Sequence, residues 1–434
     1  MKRVLPWLLV TVLVALSFFW GVAYVRYYVF PYALIGRIAS MFRNDAPARI
    51  SDTTASGAVS VGRPTSFDML QSLGYVGTAD VAASDEWGTT VVDENRVQPG
   101  LSLFTTGHAD SAVLIDESGS VVHEWSLPRD DVWWDSPLAR RQQFVGLRAA
   151  TVLPDLSLLA VYDYLGLVKV DRNSRPVWIL RNGAHHDFWI TDAGDVYLLT
   201  HDYVMRPEIH PVVPSVVDSI TVLGPDGRVK DRHSILDIIQ ASPYAFLLPS
   251  VNDRVLEYGI DLLHTNSIQV FDGSAAPVEP HLFAKGNVLV SLRNISTIMI
   301  IDLSLGEVLW AWGPSNVAYQ HSARLLPTGA ILVFDNGQEL SSVLEIDPLS
   351  RRRQWVYWGN ESDRLRSRIY GACQRLDNGN TLITDSMQGR ALEVTQDKQV
   401  VWRFRAPPLP DGRTPVLYGM KRYDRAYFDQ GADD

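Results

Sequence analysis

Short runs of alternating apolar and polar residues, separated by turns, recur along most of the chain. In six places two such runs flank a D-x-x-G-like turn, which predicts a β-hairpin. These are SAVLIDESGSVVHEW (111–125), GLVKVDRNSRPVWIL (166–180), DSITVLGPDGRVKDR (218–232), TIMIIDLSLGEVLWAWG (297–313), SVLEIDPLSRRRQWVYWG (342–359) and RALEVTQDKQVVWRF (390–404). Their turns lie about 45 to 77 residues apart, a spacing typical of one hairpin per blade of a β-propeller.

A second strand–turn–strand pattern lies between these hairpins. Its copies are HHDFWITDAGDVYLLT (185–200), HSARLLPTGAILVFDN (321–336), GACQRLDNGNTLITDS (371–386) and, more weakly, ATVLPDLSLLAVYD (150–163). The two patterns together give about four strands per unit. Six units predict an all-β six-bladed β-propeller, whose inner strand ends converge on a central axis. Another repeated all-β fold is the alternative.

The N-terminal part of the chain has a different pattern. Residues 4–25 carry no charge and have the length of a transmembrane helix, roughly 20 residues. We therefore predict a cytoplasmic tail over residues 1–3 and a transmembrane anchor over residues 4–25, with a cleaved signal peptide as the alternative. Residues 26–94 are predicted as a juxtamembrane segment and linker. The propeller is assigned to 95–405 and a C-terminal closing segment to 406–434.

Composition excludes several kinds of function. The net charge is −10, and no basic patch lies in the main body, so we predict no nucleic-acid partner. Cys373 is the single cysteine, which rules out an intrachain disulfide and a zinc site of paired cysteines. No G-x-x-x-x-G-K-[ST] loop is present, so no nucleotide donor is indicated. We predict no cofactor, and the oligomeric state stays open.

Aligning the second pattern on its turn glycine brings histidines to one repeat position. Gly194 and Gly329 each lie eight residues after a histidine, His186 and His321. His264 precedes the corresponding strands of another blade. In a propeller these positions meet at the axis, although a structural role is the commoner one for a single histidine.

Charged and polar residues accompany these histidines. Arg293 ends the strand after that of His264, and Asn266 follows His264 closely. Imidazoles, a guanidinium and an amide that face one axis form a pocket for an oxyanion. A three-histidine metal site using 185–187 and 201–202 is the rival hypothesis. Arg293 disfavours it, because a cation beside a metal ion is repelled, and we predict no metal.

These segments resemble the bacterial arylsulfate sulfotransferases, a family of periplasmic six-bladed propellers. The resemblance runs from about residue 95 to 405 and is carried by HTNSI (264–268) with SLRN (291–294), by YQHSARLLPTGAILVFDNG (319–337) and by RLDNGNTLITDSMQGRALEV (375–394). With the predicted anchor, it implies a single-pass inner membrane protein with its propeller in the periplasm. The implied partners are a small-molecule aryl sulfate donor, a phenolic acceptor and the membrane.

The resemblance also implies roles for individual residues. His321 would be the nucleophile that takes the sulfuryl group and forms a covalent sulfohistidine. His264 would hydrogen-bond the sulfuryl or leaving oxygen, and Arg293 and Asn266 would line the same oxyanion site.

The remaining family histidine is assigned to His186, with its neighbour His185 as a substrate-binding residue. The long insertion 271–285 departs from the family's short hairpin, and we expect it to reshape the pocket mouth. Two other functions stay open: a non-catalytic membrane-anchored scaffold or ligand-binding propeller, and a quinone-type redox propeller suggested by IDLSLGEVLWAWG (301–313).

Overall fold

Six β-sheets dominate the computed structural model of the chain. The structure describes residues 86–133, 146–249, 255–256, 259–361 and 363–429. Strands of its first half are β1 (Gly88–Val92), β2 (Leu101–Thr106), β3 (Ser111–Ile115), β4 (Val121–Ser126), β5 (Ala149–Val152), β6 (Leu158–Tyr162), β7 (Gly166–Val170), β8 (Pro176–Leu180), β9 (Ala184–Ile190), β10 (Val196–Val204), β11 (Ser215–Leu223), β12 (Val229–Ser234), β13 (Val255–Leu256) and β14 (Gly259–Asp261).

The second half continues the same arrangement. Its strands are β15 (Thr265–Val270), β16 (Val288–Leu292), β17 (Thr297–Asp302), β18 (Glu307–Trp312), β19 (His321–Leu325), β20 (Ile331–Asp335), β21 (Ser342–Asp347), β22 (Arg352–Tyr357), β23 (Ala372–Arg375), β24 (Thr381–Asp385), β25 (Arg390–Val394), β26 (Val400–Arg405) and β27 (Leu417–Tyr423). The α-helices described are α1 (Arg129–Val132), α2 (Ile235–Ala241) and α3 (Ala426–Asp429).

Each sheet is one blade of a six-bladed β-propeller, which confirms the predicted fold. Blade 1 has the order β27-β2-β3-β4, and blades 2, 4 and 5 contain β5–β8, β15–β18 and β19–β22. Blade 3 contains β9–β12 with β13 and β14, and blade 6 contains β23–β26 with β1. The six hairpins predicted from the alternating runs are the outer strand pairs of the six blades. The second pattern forms inner pairs, which face the axis.

The core consists of six apolar clusters, one between each pair of neighbouring blades. Middle strands are buried on both faces, as in β16, where all five residues are buried. Outer strands such as β12 are largely exposed. Burial on both faces explains why the middle strands are mainly apolar, whereas outer strands such as β12 keep a polar face.

Both ends of the described chain close the ring. β1 pairs with β26 of blade 6, whereas β27 pairs with β2 of blade 1. A buried ion pair joins these two blades: Arg422 Nη1 lies 2.5 Å from Glu393 Oε2, with both side chains at most 1% exposed. The Glu393 carboxylate also accepts hydrogen bonds from the backbone N–H of Gln98 and from Asn380 Nδ2, each 2.7 Å long.

We expect Glu393→Ala to lower the free energy of unfolding by about 3–5 kcal/mol, because it leaves the Arg422 guanidinium buried without its counter-charge. Urea unfolding followed by tryptophan fluorescence measures the change. Arg228→Ala is the control: this residue pairs with Asp226 at the surface, its side chain is 89% exposed, and the expected change is below about 1 kcal/mol. A similar small change in both variants would show that the ion pair does not hold the ring closed.

The predicted localisation is corrected. The longest α-helix among the described residues is α2, with seven residues, whereas roughly 20 are needed to cross a bilayer. Accordingly, no helix in the part of the chain that the structure describes is long and apolar enough to span a membrane. This conflicts with a single-pass inner membrane protein. The segment predicted as the anchor, 4–25, lies outside the described residues.

The insertion 271–285 lies away from the predicted active-site residues. It connects the end of β15 to the start of β16, whereas His264 precedes β15 and Arg293 follows β16. The insertion therefore lies at the opposite end of these strands. There Phe271 and Phe283 are buried in the cluster between blades 4 and 5. The insertion therefore extends the core of the propeller and does not surround the predicted histidines.

Candidate active site

Three predicted histidines from three blades meet at the axis. His186 (β9), His264 (before β15) and His321 (β19) line one small cavity of about 10 Å³, which we call the histidine cavity. The other lining residues are Asp163, Tyr164, Ile369 and Tyr370. The rings of His186 and His264 are in edge contact, with centroids 4.8 Å apart. The histidines that the repeat alignment singled out therefore do lie together in the folded protein.

A larger space adjoins this cavity. The central channel has a volume of about 740 Å³ and is lined mainly by the innermost strands of the blades. His186 and His321 line both spaces. Their rings therefore stand between the histidine cavity and a channel whose volume suits a small organic ligand.

The hydrogen bonds of His321 define its tautomer. Its Nδ1 lies 2.7 Å from Asn336 Oδ1 and 3.0 Å from the carbonyl oxygen of Tyr319. The Asn336 amide nitrogen donates to the carbonyl oxygens of Ser367 and Tyr370, which fixes its Oδ1 toward His321. Because two acceptors face Nδ1, this nitrogen carries the proton. Nε2 of His321 is then left with a lone pair, as a nucleophile requires.

His264 forms a dyad with a carboxylate that sequence analysis did not identify. Its Nδ1 lies 2.5 Å from Asp261 Oδ2, and its backbone N–H donates to Asp261 Oδ1 at 2.9 Å. Burial opposes ionisation of Asp261, but the charge and hydrogen bonds of His264 outweigh it and hold the pKa of this carboxyl below its usual value. A carboxylate at Nδ1 orients the ring and leaves Nε2 to exchange protons.

His186 is held by its neighbour in the chain. Its Nδ1 shares a hydrogen bond of 2.9 Å with His185 Nδ1, and its φ of 56° lies in the left-handed region, as does the 50° of His264. Such strain in a non-glycine residue clusters at functional sites. His185 lines neither the histidine cavity nor the central channel, so the prediction that it contacts substrate is not supported. It lies behind His186 instead.

A second missed residue, Arg148, supplies positive charge beside the histidines. It lines the central channel, is 7% exposed, and its guanidinium lies 4.5 Å from the ring centroid of Tyr370 and 5.1 Å from that of Tyr418. Its Nε is 3.4 Å from Asp163 Oδ2. Burial, and next the charge of Arg148, lower the pKa of His186 well below its ordinary value. Both effects keep this imidazole neutral.

The two predicted oxyanion-binding residues have other contacts. The guanidinium of Arg293 lies 4.7 Å from the Tyr319 ring centroid and donates to Asn294 Oδ1, and it lines neither of the two spaces. Asn266 lines the central channel. Its Nδ2 donates to the carbonyl oxygen of Gln320 at 2.8 Å, and its buried Oδ1 has no hydrogen-bond partner among the described residues. Asn266 thus lies in the channel wall, with its amide oxygen buried.

Two of the missed residues, Arg148 and Asn336, have positions that follow the repeat. Arg148 lies eight residues before Leu156, which takes the positive φ of the turn glycine, 60°. Arg148 therefore occupies the repeat position of His186 and His321 in blade 2. Asn336 lies fifteen residues after His321, where the hairpin brings the end of β20 beside the start of β19. Extending the alignment through the weaker copy would have identified Arg148.

The chain matches the family model described as Arylsulfotransferase (ASST) over residues 155–406, which is more than half of its length. No curated protein sequence is significantly similar to the chain.

Solved structures resemble the chain only weakly. A Bacteroides caccae protein of unknown function has 14% identity and a TM-score of 0.49, covering 75% of this chain and 99% of its own. A streptogramin B lyase has 12% identity and a TM-score of 0.42, covering 80% and 96%. Virginiamycin B lyase from Staphylococcus aureus has 11% identity and a TM-score of 0.41, covering 76% and 88%. Similarities of this size support no inference about function. The family match decides the assignment: this chain belongs to the arylsulfotransferase (ASST) family.

Proposed function

We propose that the protein transfers a sulfuryl group from an aryl sulfate ester to a phenolic acceptor through a covalent sulfohistidine at His321, without a nucleotide donor. The observation that supports this most is the tautomer of His321. Its Nδ1 proton is engaged by Asn336 Oδ1 at 2.7 Å, so Nε2 carries the lone pair inside a group of buried imidazoles.

The first half-reaction forms the S–N bond. His321 Nε2 attacks sulfur, and the bond between sulfur and the bridging aryl oxygen breaks. The phenolate that leaves takes a proton from His264, whose Nδ1 is bonded to Asp261. Arg148 beside the histidines and the second nitrogen of His186 stabilise the charge on the sulfuryl and bridging oxygens, which is the largest contribution expected from preplaced donors.

The second half-reaction reverses these steps with a new phenol. His264 removes the proton of the acceptor hydroxyl, the acceptor oxygen attacks sulfur, and the S–N bond breaks to restore His321. Asn266, which lines the channel, helps to position the incoming hydroxyl. Splitting the transfer into two displacements lowers each barrier.

Two-substrate kinetics test the proposal. With p-nitrophenyl sulfate as donor and several phenols as acceptors, we expect phenol-dependent release of nitrophenolate and parallel lines in double-reciprocal plots, as a ping-pong reaction requires. Intersecting lines would argue for direct transfer within a ternary complex. The absence of phenol-dependent release from a folded protein, with every acceptor, would refute the proposed activity.

A pH prediction follows from the environment of His321. Burial, then Arg148, then Arg293 lower the pKa of this imidazole well below its usual value. Since the pKa of a free histidine side chain is about 6.5, His321 stays neutral as the solution is acidified through that pH. We expect protonation of His321 to cause no decrease in the first-turnover rate of nitrophenolate release between pH 7.5 and pH 5.

Stopped-flow absorbance measures this rate. The control is tryptophan fluorescence at each pH. An imidazole with a lowered folded-state pKa makes the fold less stable below about pH 6.5, because the unfolded chain then takes up the proton. A halving of the first-turnover rate near pH 6.5 in a protein that remains folded would mean that His321 titrates normally, and would contradict the assignment.

A further inference from the structure

A second polar cluster lies behind His186, and the proposed transfer does not use it. His185 on β9, His201 on β10 and Asp218 on β11 offer ring nitrogens and a carboxylate oxygen within 4.8 Å of one another. His201 and Asp218 are paired directly across the two strands. All three residues are at most 6% exposed. Three neighbouring strands of blade 3 thus bring these groups together.

The hydrogen bonds of this cluster are incomplete. His185 uses Nδ1 for His186, and its buried Nε2 has no hydrogen-bond partner among the described residues. Asp218 uses Oδ2 to accept the backbone N–H of Thr265 at 2.6 Å. Its Oδ1 faces His185 Nε2 at 3.7 Å, which is too long for a hydrogen bond. A buried nitrogen and a buried oxygen therefore face each other without a direct hydrogen bond.

The charges in the cluster suit a cation. The rings of His185 and His201 lie with their centroids 5.0 Å apart, and the carboxylate of Asp218 supplies the negative charge of the cluster. Tyr164 and Tyr203 pack on these rings, and the carboxylate of Asp261 also acts on Asp218. These groups supply no positive charge for Asp218.

We propose that His185 Nε2, His201 and Asp218 Oδ1 bind one divalent transition-metal ion of the Zn²⁺ or Co²⁺ type. Two imidazoles and a carboxylate are the ligands such ions prefer, whereas Mg²⁺ and Ca²⁺ prefer oxygen alone. Bonds of about 2.0 Å place tetrahedral ligands roughly 3.3 Å apart. Binding therefore draws the three side chains inward by about 1 Å, and three protein ligands leave one position open. The sequence disfavoured a three-histidine metal site using 185–187 and 201–202. The proposed site takes His185 and His201 from those segments but replaces His186 by the carboxylate of Asp218.

A metal ion at this site would fix the proton positions on His186 in the histidine cavity. The importance of this effect for transfer rests on the proposed function. A metal ion on His185 Nε2 leaves the ring proton on Nδ1, and that proton is donated to His186 Nδ1. His186 must then carry its own proton on Nε2, its remaining ring nitrogen. A ligand on one imidazole nitrogen and a hydrogen bond on the other is the usual arrangement around protein-bound metals. His186 thereby becomes a fixed donor for a sulfuryl oxygen.

Cobalt binding tests the site without any substrate. The full chain, stripped with a chelator, is titrated with Co²⁺ and followed by visible absorption and thermal melting. We expect one Co²⁺ per chain, absorption bands of low-coordinate Co²⁺ and a higher Tm. His201→Gln and Asp218→Asn should weaken binding by about 100-fold or more. His233→Gln on β12 of the same blade is the control that should bind as the unaltered chain does.

Three results would overturn the site. These are the absence of stoichiometric binding, binding that survives both substitutions, and binding lost in His321→Asn but kept in His201→Gln. If the two variants do not fold, X-ray absorption of the Zn²⁺-loaded unaltered chain decides instead. Two imidazoles and a carboxylate support the site, and three imidazoles overturn it.

Turnover by the stripped and reloaded protein separates this site from the proposed function. Metal binding with equal turnover in both forms refutes the relay to His186 and leaves the site standing. Metal binding in a protein that shows no transfer in either form refutes the proposed function alone.

Discussion

Replacing His321 by asparagine is expected to lower p-nitrophenyl sulfate turnover by about 10³-fold or more, because no other group can take the sulfuryl group at this position. The amide is smaller than the ring, but its nitrogen can take the place of Nδ1 and still donate to Asn336, whose Oδ1 lies 2.7 Å from His321 Nδ1. The fold should therefore survive. Initial rates of nitrophenolate release, measured with saturating phenol, give the change.

The matched control is His233→Asn, which makes the same substitution on β12, outside both the histidine cavity and the central channel. Its rate should stay within about twofold of the unaltered protein. Turnover of His321→Asn within tenfold of the unaltered protein would show that His321 is not the nucleophile. The central channel would then need another role.

Asp261→Asn is expected to lower kcat by about 10²–10⁴-fold, because it changes the proton position on His264. The amide oxygen can keep the 2.9 Å bond from the His264 backbone N–H. The amide nitrogen then faces His264 Nδ1, and two donors cannot share that contact. The ring proton moves to Nε2, and His264 loses the lone pair that removes the acceptor's proton.

The loss should depend on the acceptor. Phenols of low pKa are already partly ionised and need little help, so the deficit of Asp261→Asn should shrink with them and grow with weakly acidic phenols. The first-turnover release of nitrophenolate should be less affected than kcat. A plot of log kcat against acceptor pKa measures this. The control is Asp302→Asn in blade 4, where the Asp302 carboxylate bonds Ser304 in an exposed turn. An equal deficit for every acceptor would indicate a structural role only.

The fold could be predicted from the sequence because the strand pattern of a propeller repeats in every blade. The six outer hairpins, each with a polar turn between its two strands, predicted the number of blades. Counting back eight residues from Gly194 and Gly329 identified two histidines, which line one cavity. His264 could be placed with them since its motif precedes the inner strand β15. The alternation of residues along a strand, and the spacing from a histidine to its turn glycine, do not depend on the residues of other blades. These predictions therefore required no knowledge of side-chain packing.

The remaining details of the site depend on side-chain direction. Arg293 begins a 3₁₀ turn over Arg293–Ile295, which carries its guanidinium to Tyr319 instead of the cavity. Asp261 contacts His264 through a tight turn three residues away, and no strand period predicts that contact. His185 and His186 are adjacent histidines in different environments. His186 lines the histidine cavity, whereas His185 faces Asp218, and the sequence alone does not distinguish them.

The central claim is that His321 carries the sulfuryl group between donor and acceptor. Its most direct test is mass spectrometry of the protein after incubation with an aryl sulfate in the absence of phenol. We predict an added mass of one SO₃ group on the peptide that contains His321, and its disappearance when phenol is added. Stoichiometric release of the donor's phenol without this adduct, or with the adduct on another residue, would contradict the account.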